Sequence, residues 1–239
     1  MSENRKFSVL MSVYVKENPA FLEEAVESII HQTLKPSEVV IVEDGPLTPE
    51  LYQVLEKLEA QSSIPIKRCP LEQNRGLGLA LQYGVLQCQY DVIARMDTDD
   101  IAVEDRFEQQ FELMEKENLD LLGGHIAEFI DQPDEIVSYR RVPTKHEDII
   151  AYQRMRSAFN HMTVMFKKEM VLKAGNYEDG LYMEDDLLWL NMISAGARTG
   201  NVDQILCKVR VGAGMFERRG GLRYLKLYRQ ARQRMHARG

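Results

Sequence analysis

Apolar residues in the first hundred positions fall alternately into short continuous blocks and into stripes of helical spacing. Phe7-Ser-Val-Leu-Met-Ser-Val-Tyr14 is a block rich in β-formers, and Asn18-Pro19 follows it as an N-cap with proline at the first helical position. Phe21, Leu22, Ala25, Val26, Ile29 and Ile30 then recur at i, i+3 and i+4, the spacing of a helix that lays one face on a sheet. The unit recurs. Glu38 to Val42 reads as a strand, Thr48-Pro49 opens a helix running to about Gln61, and Ile64 to Cys69 reads as a third strand. A helix from Gly76 to Gln87 and a strand from Val92 to Met96 continue the alternation. Alternating strands and helices predict an α/β fold with a mainly parallel central sheet and helices on both faces.

Beyond Asp97 the pattern is less regular. It predicts a helix near Glu104 to Glu117, strands near Leu119 to Leu122 and Ile136 to Arg140, and a helix around Lys145 to Met155. A strand over Met162 to Phe166, a helix over Tyr182 to Ala195 and a strand over Gln204 to Val211 follow. Gly220-Gly221 separates these from a basic helix. No repeat, low-complexity stretch or Ser/Pro-rich linker divides the chain, so residues 1–215 read as one domain and 216–239 as a basic amphipathic C-terminal helix.

Composition narrows the class. A chain of 239 residues with 44% hydrophobic positions can build one core, yet it holds no run of eighteen apolar residues, and Met1 to Lys6 is polar. A soluble, cytoplasmic protein is expected. Cys69, Cys88 and Cys207 are isolated and lack metal-ligand spacing, so they read as free thiols. The formal charge is −7, but eight Lys/Arg against one Glu from Phe216 to Gly239 make that end +7 and leave −14 elsewhere. So acidic a body excludes a nucleic-acid footprint. The basic end, with Leu222, Leu225, Leu227 and Tyr228 interleaved, suits peripheral contact with an anionic bilayer at the inner membrane face, a partner subunit in a homo-oligomer, or a solvated terminal helix.

In an open parallel sheet the ligand lies at the carboxyl ends of the strands, where Ser12-Val-Tyr14, Glu43-Asp-Gly45 and Asp97-Thr-Asp-Asp100 all fall. Adjacent carboxylates repel one another, and a hard divalent ion such as Mn2+ or Mg2+, sharing its ligands with substrate phosphates, would offset that repulsion. A solvated acidic turn is the plainer reading of Asp97, Asp99 and Asp100; the strand ahead and the companion clusters favour the ion. Asp44 suits a hydrogen bond from a nucleobase imide, and Gly45-Pro46 suits a sharp turn. Asn74-Arg-Gly-Leu-Gly78 opens a helix with backbone amides and the Arg75 guanidinium, fit either for a diphosphate or for an ordinary cap. Met183-Glu-Asp-Asp-Leu-Leu-Trp189 puts Asp185 on an anchored helix, where a carboxylate can take the proton of an acceptor hydroxyl, or simply complement the helix dipole. His161, ahead of Val164-Met-Phe166, suits an acceptor or diphosphate site or a structural hydrogen bond.

This ordered set resembles the bacterial family 2 glycosyltransferases, in particular the capsular-polysaccharide and lipopolysaccharide branch, over residues 6–225. The resemblance is carried by Val9 to Tyr14, Val42 to Gly45, Asn74 to Gly78 with Ala80 and Gly84, Met96 to Ile101, Asn160-His161 with Val164 to Lys167, and Glu184-Asp185 with Leu188-Trp189. It implies an inverting enzyme of GT-A fold, the nucleotide-diphospho-sugar transferase fold, moving a hexose from a UDP-sugar to a glycan or lipid-linked acceptor in cell-surface polysaccharide or glycoprotein assembly. By the same resemblance Ser12, Tyr14 and Asp44 contact a uridine-type nucleotide, Asp97 and Asp99 form the Asp-x-Asp element with Asp100 as a substitute ligand, Asp185 is the general base, and Glu184 lies on the acceptor side. The family usually has Asp-Asp-Gly-Ser where this chain has Glu43-Asp-Gly-Pro46. Members often run further past Arg218 to Gly221, which implies a chain shortened at its C-terminus. Two other readings stand beside it: a sugar nucleotidyltransferase, which would want glycines where Tyr14 to Asn18 stand, and a non-catalytic GT-A-like binding module.

Overall fold

A computed structural model describes residues 5–179, 183–212, 229 and 233. Its first half is the predicted alternation: β1 (Phe7–Val13), α1 (Pro19–Ile30), β2 (Glu38–Glu43), α2 (Pro49–Gln61), β3 (Ile66–Pro70), α3 (Leu77–Gln87) and β4 (Val92–Arg95). Then come β5 (Ile101–Ala102), α4 (Arg106–Glu117), β6 (Leu121–Phe129), β7 (Ile136–Arg140) and α5 (His146–Gln153). A 3-10 turn (His161–Thr163) leads to β8 (Met165–Lys167), α6 (Lys168–Lys173), α7 (Glu184–Ser194) and β9 (Thr199–Arg210).

Among the described residues one sheet holds the nine strands in the order β3-β2-β1-β4-β8-β6-β9-β5, with β7 paired to β6. The β3-β2-β1-β4 half is parallel, as is β6 with β9; β8, β7 and β5 pair antiparallel. Phe7, Val9, Leu10, Met11 and Val13 of β1 are all fully buried, because helices cover both faces of the central strands. Leu22 and Val26 of α1, Leu51 and Leu55 of α2, and Phe107 and Phe111 of α4 pack on one face; Leu81 and Val85 of α3, and Leu188 and Trp189 of α7, pack on the other.

The caps explain why the helices start where they do. Asn18 Oδ1 accepts from the Ala20 N–H at 2.9 Å, and Thr48 Oγ1 from the Leu51 N–H at 3.3 Å, each with proline in the first turn. Helix α3 has no side-chain cap; it begins after Gly76, whose φ of +85° is glycine territory.

Three elements depart from the sequence pattern. Strand β6 continues past Leu122 through Gly123-Gly124, where a Cβ would meet Asn201 Oδ1 at 2.7 Å and Leu206 Cδ1 at 2.4 Å respectively. These glycines allow close packing and do not end the strand. Met162 to Phe166 splits, because the Thr163 hydroxyl bonds the Asn160 carbonyl at 2.8 Å and holds a 3-10 turn ahead of β8. Strand β9 begins at Thr199, five residues before the expected Gln204. Helix α6 and the two-residue β5 were not foreseen. The expected basic helix over 216–239 lies outside the described residues except Arg229 and Gln233, which are helical. Among the described residues, no helix is long and apolar enough to cross a membrane.

Candidate active site

The carboxyl ends of β1, β2 and β4 carry the predicted groups, and their surroundings define what each can do. At the end of β2 the buried Asp44 accepts from two backbone N–H groups, Arg75 to Oδ1 at 2.7 Å and Gly76 to Oδ2 at 3.0 Å. Asn74 Nδ2 donates to the Asp44 carbonyl at 3.1 Å. Asp44 thus fastens the loop ahead of α3 to the end of β2, so those two amides are committed to it and are not free for a diphosphate. The loop's remaining offer is the exposed Arg75 side chain. Gly45 makes this possible: its φ is +86°, and a Cβ there would lie 2.5 Å from Asn74 N. Glu43, at the position where the family usually has Asp, is buried and ion-paired with Arg68 at 2.6 Å.

After β4, one carboxylate oxygen from each of Asp97, Asp99 and Asp100 lies within 4.8 Å of the others. Hard oxygen donors so grouped fit a divalent ion of the Mg2+ or Mn2+ type. Asp100 is fully enclosed and accepts from the Arg210 N–H at 3.0 Å, while the Thr98 hydroxyl donates to Glu17 at 2.6 Å. Burial pushes the Asp99 carboxyl up to about 7, with Asp97 and Glu17 adding repulsion. Burial likewise raises Asp100 well above the usual carboxylate range, again reinforced by its neighbours. Burial and neighbouring like charge disfavour the ionised forms, and a cation bound among them would favour those forms.

Glu184, Asp185 and Asp186 occupy the first turn of α7, which Leu187, Leu188 and Trp189 bury against the sheet. Asp186 points inward and accepts from Gln153 Nε2 at 2.9 Å, fixing the helix start. Burial pushes the Asp185 carboxyl up to about 8, with Asp186 and Glu184 adding to the rise and Arg95 opposing it. Glu184 is raised too, chiefly by burial, and it feels both Arg95 and Asp97. Arg95 thus opposes the rise in both carboxyls, and Asp97 adds to that of Glu184. His161 Nε2 lies 2.9 Å from the Tyr177 hydroxyl, and its ring meets Trp189 edge-on at 5.8 Å. Burial and then Arg95 hold its pKa far below the ordinary value, so the imidazole is neutral and brings no positive charge to a diphosphate. Ser12 and Tyr14 sit half-buried where β1 ends.

Sequence reasoning missed Arg95, Arg106, Glu17 and Tyr177. The available clue was an arginine inside the apolar strand Val92-Ile-Ala-Arg-Met96, since a strand buried on both faces rarely carries a cation without a task. Gly78 also links the two halves of the site: a Cβ there would come within 2.3 Å of the Glu178 carbonyl oxygen and 3.0 Å of Glu184 Cβ. Gly78→Ala should push α3 away from the start of α7, lowering both the thermal midpoint and turnover. A variant with wild-type values for both would show that the contact gives way freely.

An α/β sheet whose parallel strands run β3-β2-β1-β4, with a cation-sized acidic cluster after β4, is the architecture of a GT-A-type sugar transferase. Residues 8–176 match glycosyl transferase family 2, and the chain belongs to that family. It is a glycosyltransferase, which removes the sugar nucleotidyltransferase reading. Similar proteins include an uncharacterized glycosyltransferase of Haemophilus influenzae, 47% identical over 92% of this chain and 82% of its own length. The amylovoran biosynthesis glycosyltransferase AmsE of Erwinia amylovora is 42% identical over the same shares. The UDP-Gal:alpha-D-GlcNAc-diphosphoundecaprenol beta-1,3-galactosyltransferase of Escherichia coli is 38% identical over 92% of this chain and 79% of that one. Among solved structures, S. aureus TarS 1-349 in complex with UDP-GlcNAc superposes with a TM-score of 0.73 at 18% identity, covering 95% of this chain and 65% of that one.

Proposed function

We propose that this enzyme transfers a hexose from a UDP-sugar, with inversion at the anomeric carbon, to a lipid-linked or glycan acceptor in cell-surface polysaccharide or glycoprotein assembly. The observation that carries the reading is the grouping of Asp97, Asp99 and Asp100 oxygens within 4.8 Å of one another just after β4, in a chain that belongs to glycosyl transferase family 2. The donor class and lipid-linked acceptor are supported by likeness to the E. coli transferase, whose name specifies both, and a surface polysaccharide by likeness to AmsE.

In this mechanism Asp185 takes the proton of the acceptor hydroxyl as its oxygen attacks the anomeric carbon. The bond from that carbon to the diphosphate oxygen breaks on the opposite side, and its electron pair leaves with UDP. Asp99, with Asp97 and Asp100, would hold Mn2+ or Mg2+, which offsets the charge developing on the departing diphosphate. Each Asp44 oxygen takes one backbone N–H and keeps a lone pair for the uracil imide. Ser12 and Tyr14 line the nucleotide, Arg75 reaches the diphosphate, Glu184 orients the acceptor, and the neutral His161 walls the acceptor side. The transferase unit spans residues 1–215. The segment 216–239 is a basic appendage that brings the enzyme to the inner membrane face, where a lipid-linked acceptor is presented, or joins a second copy.

A panel of UDP- and dTDP-sugars tested for thermal stabilisation with Mn2+, followed by transfer assays with the best ligand, checks this reading. One UDP-hexose should raise the midpoint and be turned over. A panel in which no nucleotide-sugar binds contradicts the proposal, and binding without turnover favours a non-catalytic module.

The buried carboxyls add a pH expectation. Asp99 and Asp185 have folded pKa values raised above those of the unfolded chain, so the stability they confer is full below the unfolded values and is lost as pH rises through about 7 to 8. The metal-free thermal midpoint should fall between about pH 5.5 and about pH 8.5, and saturating Mn2+ should shrink the fall. A midpoint that rises over this range would contradict the assigned burial.

A further inference from the structure

Arg95 is a deeply buried charged group, 1% exposed, at the last position of β4. Its backbone is locked on two sides: its N–H donates to the Val164 carbonyl at 2.8 Å, and its carbonyl accepts from Arg106 Nη2 at 2.7 Å. Alternation along β4 puts its side chain on the face of Ile93, the face packed by α3 and α7. There Nη2 donates to Asp97 Oδ1, while Nε and Nη1 have no hydrogen-bond partner among the described residues.

A guanidinium this deeply buried persists only where nearby negative charge offsets its lost hydration. One hydrogen bond to a single carboxylate is a thin arrangement for a group with five N–H donors. The carboxylate it holds belongs to the cluster that Asp97 forms with Asp99 and Asp100, so the buried positive charge sits against that whole cluster.

We propose that Arg95 is the resident counter-ion of the acidic pocket, a positioning residue that fixes Asp97 and opposes the divalent cation for the field of the same carboxylates. This rests on the reading of Asp97, Asp99 and Asp100 as a cation site. Three carboxylates without Arg95 would bind a divalent ion tightly even in the empty enzyme. With Arg95 beneath them, a cation entering the cluster meets a fixed positive charge a few ångströms away, and the negative diphosphate of the donor relieves that repulsion. Arg95 thereby favours capture of cation and donor together over retention of the cation alone.

Calorimetric titration of Mn2+ into the full metal-free chain, without nucleotide, tests this on wild type, Arg95→Gln and Arg95→Lys. Loss of the charge in Arg95→Gln should tighten Mn2+ binding by on the order of tenfold or more, while Arg95→Lys, which keeps it, should stay within about threefold of wild type. A folded Arg95→Gln that binds Mn2+ no more tightly than wild type overturns the proposal. A second measurement needs neither metal nor an Arg95 variant: the thermal midpoints of metal-free Asp97→Asn and Asp99→Asn. Removing Asp99 relieves repulsion and should raise the midpoint, whereas removing Asp97 strips Arg95 of its hydrogen-bonded partner and should lower it. Two equal rises would mean that the carboxylates merely repel one another, and the proposal would fail. If wild type binds no Mn2+, the cation site itself is wrong; the pair of asparagine variants still judges Arg95.

Discussion

Replacing Asp185 with asparagine is expected to lower turnover by about 10²- to 10⁴-fold, the usual contribution of a positioned general base, while nucleotide-sugar affinity stays near wild type. The separation follows from position. Asp185 sits in the first turn of α7, whose buried Leu187, Leu188 and Trp189 fix the backbone, so an isosteric amide should not disturb the β1, β2 and β4 ends proposed to hold the donor. What the amide loses is the capacity to take a proton. As the proposed base, Asp185 would need that capacity in a site where burial already pushes its carboxyl up to about 8. The same substitution removes a buried ionisable group beside Glu184 and Asp186, and the metal-free protein should become more stable. Transfer assays and donor titrations on one preparation separate the effects. Near-wild-type turnover would move the base elsewhere.

Chelation of divalent cations is expected to cost on the order of a thousandfold in rate, the several kcal/mol that a Lewis acid contributes at a developing charge. Added Mn2+ should restore it. Asp99→Asn should behave as a standing version of chelation, requiring far more Mn2+ for half-maximal rate. Asp99 is singled out because Asp97 is engaged by Arg95 and Asp100 by the Arg210 amide, which leaves Asp99 the least committed of the three. Burial, with Asp97 and Glu17, pushes its carboxyl up to about 7, so a bound cation would gain from restoring its charge. Full activity in EDTA would mean that Arg95 and Arg75 alone neutralise the leaving group.

The parallel half of the sheet was legible because each of its elements carries two concordant cues, an apolar block and a capped amphipathic stripe, with Asn18-Pro19 and Thr48-Pro49 as the clearest examples. The second half was less so, since side-chain contacts from distant segments override local pattern there. Gly123 and Gly124 look like a strand end until Asn201 and Leu206 are known to press against them, and Thr163 turns a predicted strand into a 3-10 turn through its own hydroxyl. The candidate site was readable as residue types at strand ends, and the Asp97, Asp99 and Asp100 cluster assembled as expected. Its interior wiring was not. Nothing in the sequence announces that Asp44 ties down the Arg75 and Gly76 amides or that Arg68 neutralises Glu43. Those are pairings over tens of residues, invisible to periodicity and set by packing.

A crystal structure with Mn2+ and UDP tests the central claim most directly, because it asks whether the carboxylates of two distant segments serve one reaction centre. The account predicts the ion about 2 Å from an Asp99 oxygen and from the diphosphate, with Asp185 opening onto the same cavity across from the leaving oxygen. An ion bound away from Asp97, Asp99 and Asp100, or a nucleotide whose diphosphate faces away from the start of α7, would contradict it.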